Sequence, residues 1–531
     1  MAGASAVGAS YSKKIAFVYV FNLIVGVGAL ALPYAFHRAG IVSGVLVLAL
    51  NAFMAFICVT FVIEAMSSSN FMLKHQKEEQ TSLLSDDTSI HSLNSVDNIQ
   101  NLTTKKKKKK KSEMNSPELI SYATNPFSIL ERTEIGKMTE QFLGIVGKSF
   151  FYIIIIVYLF GDLAIYAVSV PTSLLKVTGP MFGLSQMGTY YIYLGIFACI
   201  VVPFSFFNFQ KTKYLQYATL ATRNIAFFLM ILLSLIFIIE GHGSARNLEI
   251  FNVSMERFSK LFSVSIYAFM CHHSLPSIVS PIKDKRRITI MFLFDFVLIF
   301  ISYVCLCYVA VFAFGDQPFE KCSNRISDGP ACQIQELFTL NFTTYRYTII
   351  AAFLALFPVF TLTSNYPLIA ITLRNNIQIL FERVKIVHNW KYNSLLFSAI
   401  AAIPPIILAF VYQNIQLLVS FTGGFAGLFI QYVFPTLLVI FGRRRTSTTG
   451  GSVSSQPLEL ATDTRLSAKV VGVAKSFGKY LVTKPAVVSE NPHSSPFYHG
   501  FWIVGILLFS LFALIVNSYA LIKCDIMKMC Q

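Results

Sequence analysis

The amino-acid sequence predicts an all-α polytopic membrane protein with about eleven transmembrane helices. Of its 531 residues, 55% are hydrophobic and only 13% are charged, and the mean hydropathy is +0.61. Soluble domains carry about 25% charged residues, so this chain has about half the charge that a water-facing surface requires. Apolar runs long enough to cross a bilayer recur along it. This composition excludes an ordinary cytosolic enzyme, a disordered hub protein and a secreted disulfide-rich scaffold.

Each apolar run of about 17–25 residues predicts one spanning helix, because about 20 residues cross the hydrocarbon core. The eleven predicted helices cover residues 15–37, 40–64, 149–175, 190–208, 217–239, 259–281, 288–314, 346–372, 394–412, 416–441 and 500–522. The first run continues to Pro33 and His37 and has no convincing cleavage site. It therefore predicts a retained helix rather than a signal peptide.

Basic residues predict a cytosolic N-terminus and, with eleven spans, a C-terminus on the lumenal or extracellular side. In this orientation 32 of the 43 Lys and Arg residues lie on the cytosolic side and ten on the other, as the positive-inside rule requires. Without the two long loops the difference shrinks to 12 against 10. The basic cluster Lys283, Lys285, Arg286 and Arg287 decides the orientation, because it directly flanks a span.

The predicted organisation has six parts. They are a cytosolic N-terminus (1–14), helices one and two (15–64), a long, mostly disordered cytosolic loop (65–148), helices three to ten (149–441), a second cytosolic loop (442–499), and the last helix with a lumenal or extracellular tail (500–531). The first loop is rich in Ser, Asn and Gln and includes seven consecutive lysines at 105–111, which is typical of disorder. This run predicts a solvated segment, with contact to anionic lipid headgroups as the alternative. No nucleic-acid partner is expected.

Few residues suggest covalent or metal chemistry. Nine Cys without a CxxC pair argue against a zinc site or a disulfide framework, and no resident cofactor is expected. Cys322 and Cys332 lie in one non-cytosolic loop and predict a disulfide in an oxidising lumen. Asn252 and Asn341, on the same side, are candidate glycosylation sites close to predicted helix ends.

Helix one contains a predicted break near mid-membrane. Gly26, Gly28 and Pro33 all lie inside one stretch of twelve residues of this span, residues 22–33. Glycine weakens a helix, and proline removes a backbone hydrogen-bond donor. Unwound backbone at this depth occurs where it is buried in protein or lines a cavity. The alternative is a close glycine contact between two packed helices.

Helix six contains a corresponding break, where His272, His273 and Pro276 interrupt the span. Helices one and six open two successive groups of five, and because five is odd the second group enters the membrane from the opposite face. Paired interruptions in two inverted halves are typical of a transporter's central site. Free N–H groups at such breaks suit a carboxylate, and free carbonyls suit a cation or an ammonium group.

The same residues carry a family resemblance. The run from Asn22 through Gly26-Val27-Gly28 to Pro33-Tyr34-Ala35 resembles the first-helix signature of the amino acid/auxin permease family. Further stretches that resemble this family are Phe269-Met270-Cys271-His272 with Pro276, Phe357-Pro358 with Arg374, and Thr422-Gly423-Gly424 with Gln431 and Pro435.

Within that superfamily, the stretches 158–167, 210–216 and 372–376 resemble the transmembrane protein 104 branch. The resemblance implies an eleven-helix transporter built as a five-plus-five inverted repeat with an extra C-terminal helix, and amino acids as the usual substrates. In such a site Gly26, Val27, Gly28, Phe269 and Met270 are predicted to bind a small solute through backbone groups.

Ionisable residues within the predicted spans are candidate coupling sites, because charge in lipid is costly. Asp162 lies in an otherwise apolar helix and predicts a coupling or gating role. The alternative is a structural partnership with Arg223 or a tyrosine. His272 is the histidine assigned to proton linkage, because histidine titrates between pH 5 and 8. At most one of His272 and His273 is expected to face the site, and a neutral hydrogen-bonding histidine fits equally well.

Sodium is the alternative coupling ion. The resemblance places a sodium site, where one exists, between the backbone of helix one and hydroxyls of helix eight, which here are Asn22, Thr363 and Ser364. Such hydroxyls often bond to the carbonyl four residues earlier instead. Two further acidic residues receive structural predictions: Asp295 pairs with the basic cluster, and Glu64 extends toward the membrane surface.

The sequence therefore predicts a secondary transporter that moves a small amino-acid-like solute by alternating access with a coupled proton or sodium ion. The rival is a membrane sensor or scaffold that binds solute without net transport and signals through the 67–148 loop. An enzyme is not expected, because the sequence has no HExxH, GxSxG or paired-carboxylate constellation.

A sorting signal is predicted in the first cytosolic loop. Glu79 followed by Leu83 and Leu84 fits the acidic dileucine pattern, which clathrin adaptors bind in extended, accessible segments. The pattern also arises by chance. Together with the resemblance to amino acid permeases of acidic organelles, it favours an endolysosomal membrane over the plasma membrane.

Overall fold

The structure is a computed structural model that describes residues 10–87, 125–181, 183–206, 213–241, 254–314, 334–343, 345–381, 390–450 and 491–522. Within these residues, eight helices are long and apolar enough to cross a membrane, and one bent helix pair is a ninth if it forms a single span. No named β-strand occurs in this part of the chain. The all-α membrane fold is confirmed, and the count of eleven spans stays a prediction.

Fifteen α-helices occur in the described residues. In chain order they are α1 (Lys13–Ile24), α2 (Val27–Ala39), α3 (Ile41–Asp87), α4 (Ile135–Thr178), α5 (Gln186–Phe206), α6 (Lys213–Ile239), α7 (Met255–Ala268), α8 (Leu275–Val279), α9 (Ile288–Phe314), α10 (Thr348–Leu380), α11 (Trp390–Ala402), α12 (Pro404–Val411), α13 (Ile415–Phe421), α14 (Phe434–Gly450) and α15 (Gly500–Ala520). Two 3₁₀ turns, His272–Ser274 and Phe338–Phe342, and two π-helical segments, Thr422–Gly427 and Phe429–Val433, complete the set.

The first predicted span is broken, as the sequence indicates. Helix α1 ends at Ile24, α2 begins at Val27, and their axes differ by 53°. The backbone leaves the helix at Gly26, which stabilises a helix poorly. Pro33 lies inside α2 without ending it.

The sixth predicted span is also broken. Helix α7 ends at Ala268, a 3₁₀ turn follows at His272–Ser274, and α8 starts at Leu275 with Pro276 in its first turn. Proline suits that position, because the N–H it lacks has no partner in the first turn of a helix. Both predicted breaks are therefore confirmed.

The limits predicted for the first cytosolic loop are wrong at both ends. Helix α3 continues past residue 64 to Asp87, and α4 begins at Ile135 rather than 149. Inside α4, Gly144 has a φ of 74°, which separates an early amphipathic part from the apolar span. Hydropathy detects the apolar part of a helix only, so polar extensions were missed. Residues 88–124 lie outside the described part.

This change affects the predicted sorting motif. Glu79 is exposed on α3, and the backbone of Leu83 and Leu84 belongs to the same helix. The expectation of an extended, disordered segment is therefore wrong up to Asp87. The polar part of α3 is held by contacts to the chain before α4: Ser67 Oγ donates to the Phe127 carbonyl at 2.6 Å.

A buried ion pair joins distant helices at one end of the molecule. Glu64 was expected to extend toward the membrane surface, but it is only 2% exposed and forms two hydrogen bonds with Arg443 of α14, at 2.6 and 2.8 Å. Its second oxygen also accepts the Ser495 N–H at 2.8 Å, and Arg443 donates to the Tyr498 carbonyl at 3.0 Å. The segment before α15 is thereby fixed to α3 and α14.

The N-terminal end of α1 is connected to the chain around α8. The Tyr11 N–H donates to the Pro281 carbonyl at 3.1 Å, and Lys13 Nζ lies 3.0 Å from Asp284 Oδ2. Partial burial alone would raise the pKa of Asp284, but hydrogen bonds from Arg286 and Lys13 outweigh it and lower that pKa to about 2. The carboxylate therefore stays charged at physiological pH, and the two broken spans stay linked at this end.

Three predictions about modification concern the lumenal or extracellular side. Cys322, Cys332 and Asn252 lie outside the described residues. Asn341 is fully buried, and its Oδ1 accepts the Gln335 N–H at 2.9 Å. A bulky glycan requires an accessible side chain, so the assignment of Asn341 as a glycosylation site is corrected.

Candidate functional site

A cavity lies where the two broken spans meet α4, α6 and α10. It measures about 820 Å³, including the part that opens to solvent. The polar and backbone groups on its wall come from five regions and include Gly26, Val27, Gly28, Tyr158, Asp162, Tyr166, Arg223, Tyr267, Met270, His273, Thr361 and Asn365. Four of the five predicted solute-binding residues are in this set. The fifth, Phe269, is fully buried and packs against the Tyr303 ring at 5.3 Å between ring centres.

Asp162, the predicted coupling or gating residue, lies on this wall and is 8% exposed. Its Oδ1 accepts a hydrogen bond from the Tyr267 hydroxyl at 2.8 Å. Tyr158 and Tyr166 also line the cavity, because residues four apart lie on one face of a helix. The carboxyl group therefore sits among three phenols, a polar set inside an apolar bundle.

Arg223 lines the same cavity, but its hydrogen bond goes to the first break. Its guanidinium donates to the Asn22 carbonyl at 2.7 Å, an acceptor that the end of α1 leaves without a helical partner. No ion pair joins Arg223 to Asp162 in the described structure. Asn22 itself is 5% exposed, donates to the Val18 carbonyl and accepts from Asn224 at 2.6 Å. Asn22 therefore connects α1 to α6 rather than facing the cavity.

Tyr303 of α9 joins the two breaks to each other. Its hydroxyl lies 3.0 Å from the Ile24 carbonyl oxygen and 3.1 Å from the Ala268 carbonyl oxygen. These are the last residues of α1 and α7, where helical carbonyls lose their partners. One phenol thus couples the positions of both interrupted helices.

The two histidines at the second break have different environments, and the assignment of His272 to the site is corrected. His272 is fully buried away from the cavity, with Nε2 3.1 Å from the Ala55 carbonyl oxygen. His273 lines the cavity, 5.4 Å from the Tyr158 ring, and its Nδ1 has no hydrogen-bond partner among the described residues. Adjacent residues of a turn point in different directions, and packing decides which one faces inward.

The residues predicted for sodium are not brought together at the cavity. Ser364 Oγ donates to the Thr361 carbonyl at 3.0 Å, three residues earlier, so it bonds within its own helix, although to a different carbonyl from the one expected four residues earlier. Thr363 lies outside the cavity lining, whereas Thr361 and Asn365 of the same helix line it. Thr361 Oγ1 is buried without a hydrogen-bond partner in the described structure.

Asp295 was expected to pair with the basic cluster, but Asp284 does so instead. Asp295 is fully buried on α9, and neither carboxyl oxygen has a hydrogen-bond partner among the described residues. It does not line the cavity. This buried carboxyl group outside the cavity therefore offers a matched comparison for Asp162.

The two glycines of the first break have different surroundings. A Cβ on Gly28 would lie 2.6 Å from the Ala268 Cα, so Gly28 permits the close contact between α2 and α7. A Cβ on Gly26 would approach only the Ile24 carbonyl oxygen, at 3.9 Å. Gly28 thus has the packing role that was the alternative, in addition to lining the cavity, and Gly26 leaves its backbone open.

Sequence reasoning missed much of the polar wall. Tyr158 and Tyr166 could have been found from their spacing of four residues on either side of Asp162. Arg223 was considered only as a structural partner, although a charge inside a span is itself a signal. Thr361 and Asn365 interrupt the apolar run of the eighth predicted span, next to the Thr363 and Ser364 chosen for sodium. Tyr267 had no distinguishing pattern, since polar residues occur elsewhere in its helix.

Comparison with known proteins agrees with this architecture. Residues 10–81, which contain the first break and most of α3, match the family model described as transmembrane amino acid transporter protein. The transmembrane protein 104 homolog of Dictyostelium discoideum is 41% identical, covering 98% of this chain and 99% of the relative. Human transmembrane protein 104 is 37% identical over 97% of both chains. The Drosophila melanogaster homolog is 33% identical, over 83% of this chain and 91% of its own. With identity of 33–41% to these relatives along most of its length, the chain belongs to the transmembrane protein 104 family.

Proposed function

We propose that this protein is a secondary transporter that moves a small amino-acid-like solute by alternating access. The observation that carries the proposal is a single cavity at two helix breaks, with Asp162 and Arg223 on its wall. Interrupted helices near mid-membrane provide backbone groups for a solute without exposing them to lipid.

The cavity has complementary groups for both ends of an amino acid. Val27 and Gly28 begin α2 and line the cavity, so the N–H groups and positive end of the helix dipole suit a carboxylate. Arg223 adds positive charge to the same region. Asp162 suits the ammonium group when it is ionised. Met270 and Phe357 add apolar surface for a side chain.

Proton coupling is proposed at Asp162. The ionised carboxylate accepts the Tyr267 hydrogen bond and attracts an ammonium group, whereas the protonated form loses that charge. Gain and loss of a proton would thus change affinity for the solute, as coupled transport requires. His273 is the alternative proton carrier. A sodium ion is the second candidate, with Thr361 and Asn365 as oxygen ligands.

The decisive experiment is flux into proteoliposomes that contain the purified full-length chain. Amino acids that raise its thermal stability would be chosen first, because ligand binding stabilises the folded state. Each would then be supplied as a radiolabel with and without a pH gradient. We expect accumulation that exceeds that of protein-free liposomes and rises with the gradient. Saturable binding without flux would instead support the sensor.

A further inference from the structure

A second cavity lies beyond the central one, between α2, α7 and α13. It measures about 570 Å³, including the part open to solvent. Tyr34 and Arg38 of α2, Glu256, Arg257 and Lys260 of α7, and Gln416 of α13 line it. In the predicted orientation, the end of α2 and the starts of α7 and α13 all lie on the lumenal or extracellular side.

This outer cavity and the central cavity lie along the same pair of helices. Leu30 lines the central cavity and Tyr34 the outer one, and four residues of an α-helix advance about 6 Å. On α7, Tyr267 and Lys260 line the two cavities respectively, about 10 Å apart along the axis. A solute leaving the outer cavity along these helices would reach the central one within two turns.

The outer cavity is electropositive. Three basic side chains and one acidic side chain line it, and the acidic one, Glu256, accepts a hydrogen bond from Lys260 at 2.6 Å. Glu336 lies nearby and interacts electrostatically with Arg38 and Lys260, but its carboxylate accepts the first N–H groups of α13, where negative charge is favoured. With Glu336 included, the described residues that line or adjoin this cavity carry three positive charges and two negative ones.

Gln416 points to a ligand independently of this charge. Its side chain is 4% exposed, and neither its amide oxygen nor its amide nitrogen has a hydrogen-bond partner among the described residues. Leaving a buried amide without a partner is costly, and most such groups in proteins are satisfied. An occupant of the cavity with hydrogen-bonding oxygens would satisfy it.

We propose that the outer cavity is a docking site for the carboxylate of a small organic solute. Arg38 and Arg257 supply positive charge, and the Gln416 amide donates a hydrogen bond to a carboxylate oxygen. The role of this cavity as an initial binding site for transported solute depends on the proposed transport function. The binding of a carboxylate to this cavity does not depend on that function. A cavity with an excess of positive charge raises the local concentration of an anionic solute.

The test uses thiol modification of the full-length Gln416→Cys variant, purified in detergent. The variant is treated with an anionic sulfonatoethyl methanethiosulfonate and, separately, with a cationic trimethylammonium-ethyl methanethiosulfonate. Wild-type protein gives the background from its nine native cysteines. We expect the anionic reagent to be favoured about tenfold after correction for intrinsic reactivity. Millimolar acetate should slow the reaction.

Charge variants make the test specific to the outer cavity. The double variant Arg38→Gln/Gln416→Cys should lose most of the preference for the anionic reagent. If this double variant does not fold, Arg257→Gln is combined with Gln416→Cys in its place. Arg346→Gln is the matched control, because Arg346 lies near Tyr347 outside the cavity and should leave the preference unchanged. Equal rates for both reagents, equal effects of the cavity and control variants, or no protection by acetate would each overturn the proposal. The readout needs no transport, so its failure leaves the central-site proposal intact.

Discussion

Asp162 is the residue on which proton coupling depends, and Asp295 provides its control. Asp162→Asn keeps the shape and the acceptor for Tyr267 but stays neutral at every pH. We expect uptake by this variant to become equal with and without a pH gradient, measured as initial radiolabel flux in proteoliposomes.

Asp295→Asn removes a buried carboxyl group that lies outside the cavity lining. Its uptake should keep the wild-type response to the gradient. If Asp162→Asn keeps that response as well, Asp162 does not carry the proton, and His273 becomes the candidate.

Gly26 and Gly28 should respond differently to the same substitution. Valine at position 28 would overlap the backbone of Ala268, so we expect the Gly28→Val protein to lose most of its folded yield. Valine at position 26 meets open space and should fold, yet it narrows the cavity and should abolish uptake. Folded yield by size-exclusion chromatography and flux separate the two effects. Normal uptake in Gly26→Val would show that solute does not approach this backbone.

At the scale of elements, the ion pair between Glu64 and Arg443 fixes α3 to α14. Removing one partner of a buried pair leaves an uncompensated charge, at a cost of about 3–5 kcal/mol. We therefore expect Arg443→Met to lower the thermal unfolding temperature in detergent markedly. The double variant Glu64→Met/Arg443→Met should recover part of the loss, because well-packed apolar residues often replace a buried pair without penalty.

The same elements show what a pairwise contact contributes. Glu64 also accepts the Ser495 N–H, so the double variant leaves one backbone donor without its partner and should not recover fully. A double variant less stable than Arg443→Met alone would mean that Glu64 is stabilised mainly by groups other than Arg443.

At the scale of the whole molecule, the prediction concerns the organelle membrane in which the protein resides and the adaptor that sorts it to that membrane. We propose residence in an endolysosomal membrane with the N-terminus in the cytosol, directed by a clathrin adaptor that binds Glu79, Leu83 and Leu84. Because this stretch lies on α3, adaptor binding requires the end of that helix to unwind.

The variant Leu83→Ala/Leu84→Ala should move a tagged protein to the cell surface, measured by surface biotinylation and microscopy. Alanine keeps helix propensity, so the change tests the leucine side chains rather than the helix. If the variant and the wild-type protein have the same subcellular distribution, the motif is not the sorting signal, and the plasma membrane becomes the better proposal.

Features that depend on local chemistry could be predicted from the sequence. The apolar spans follow from the cost of unsatisfied polar groups in lipid. The breaks at Gly26 and before Pro276 follow from the weak helix propensity of these residues. Asp162 was recognisable because an ionisable group within a membrane span is energetically costly and is therefore a functional candidate. Each of these signals is contained within one segment.

Only the tertiary structure decided which side chains meet. Sequence selected His272, but the packing of the second break turns His273 toward the cavity and His272 toward Ala55. Glu64 and Arg443 are 379 residues apart, and no local pattern relates them. The rotation of each helix about its axis is set by neighbours such as Gly28 against Ala268. That rotation determines which face of a helix lines a cavity, and a single segment contains no information about its neighbours.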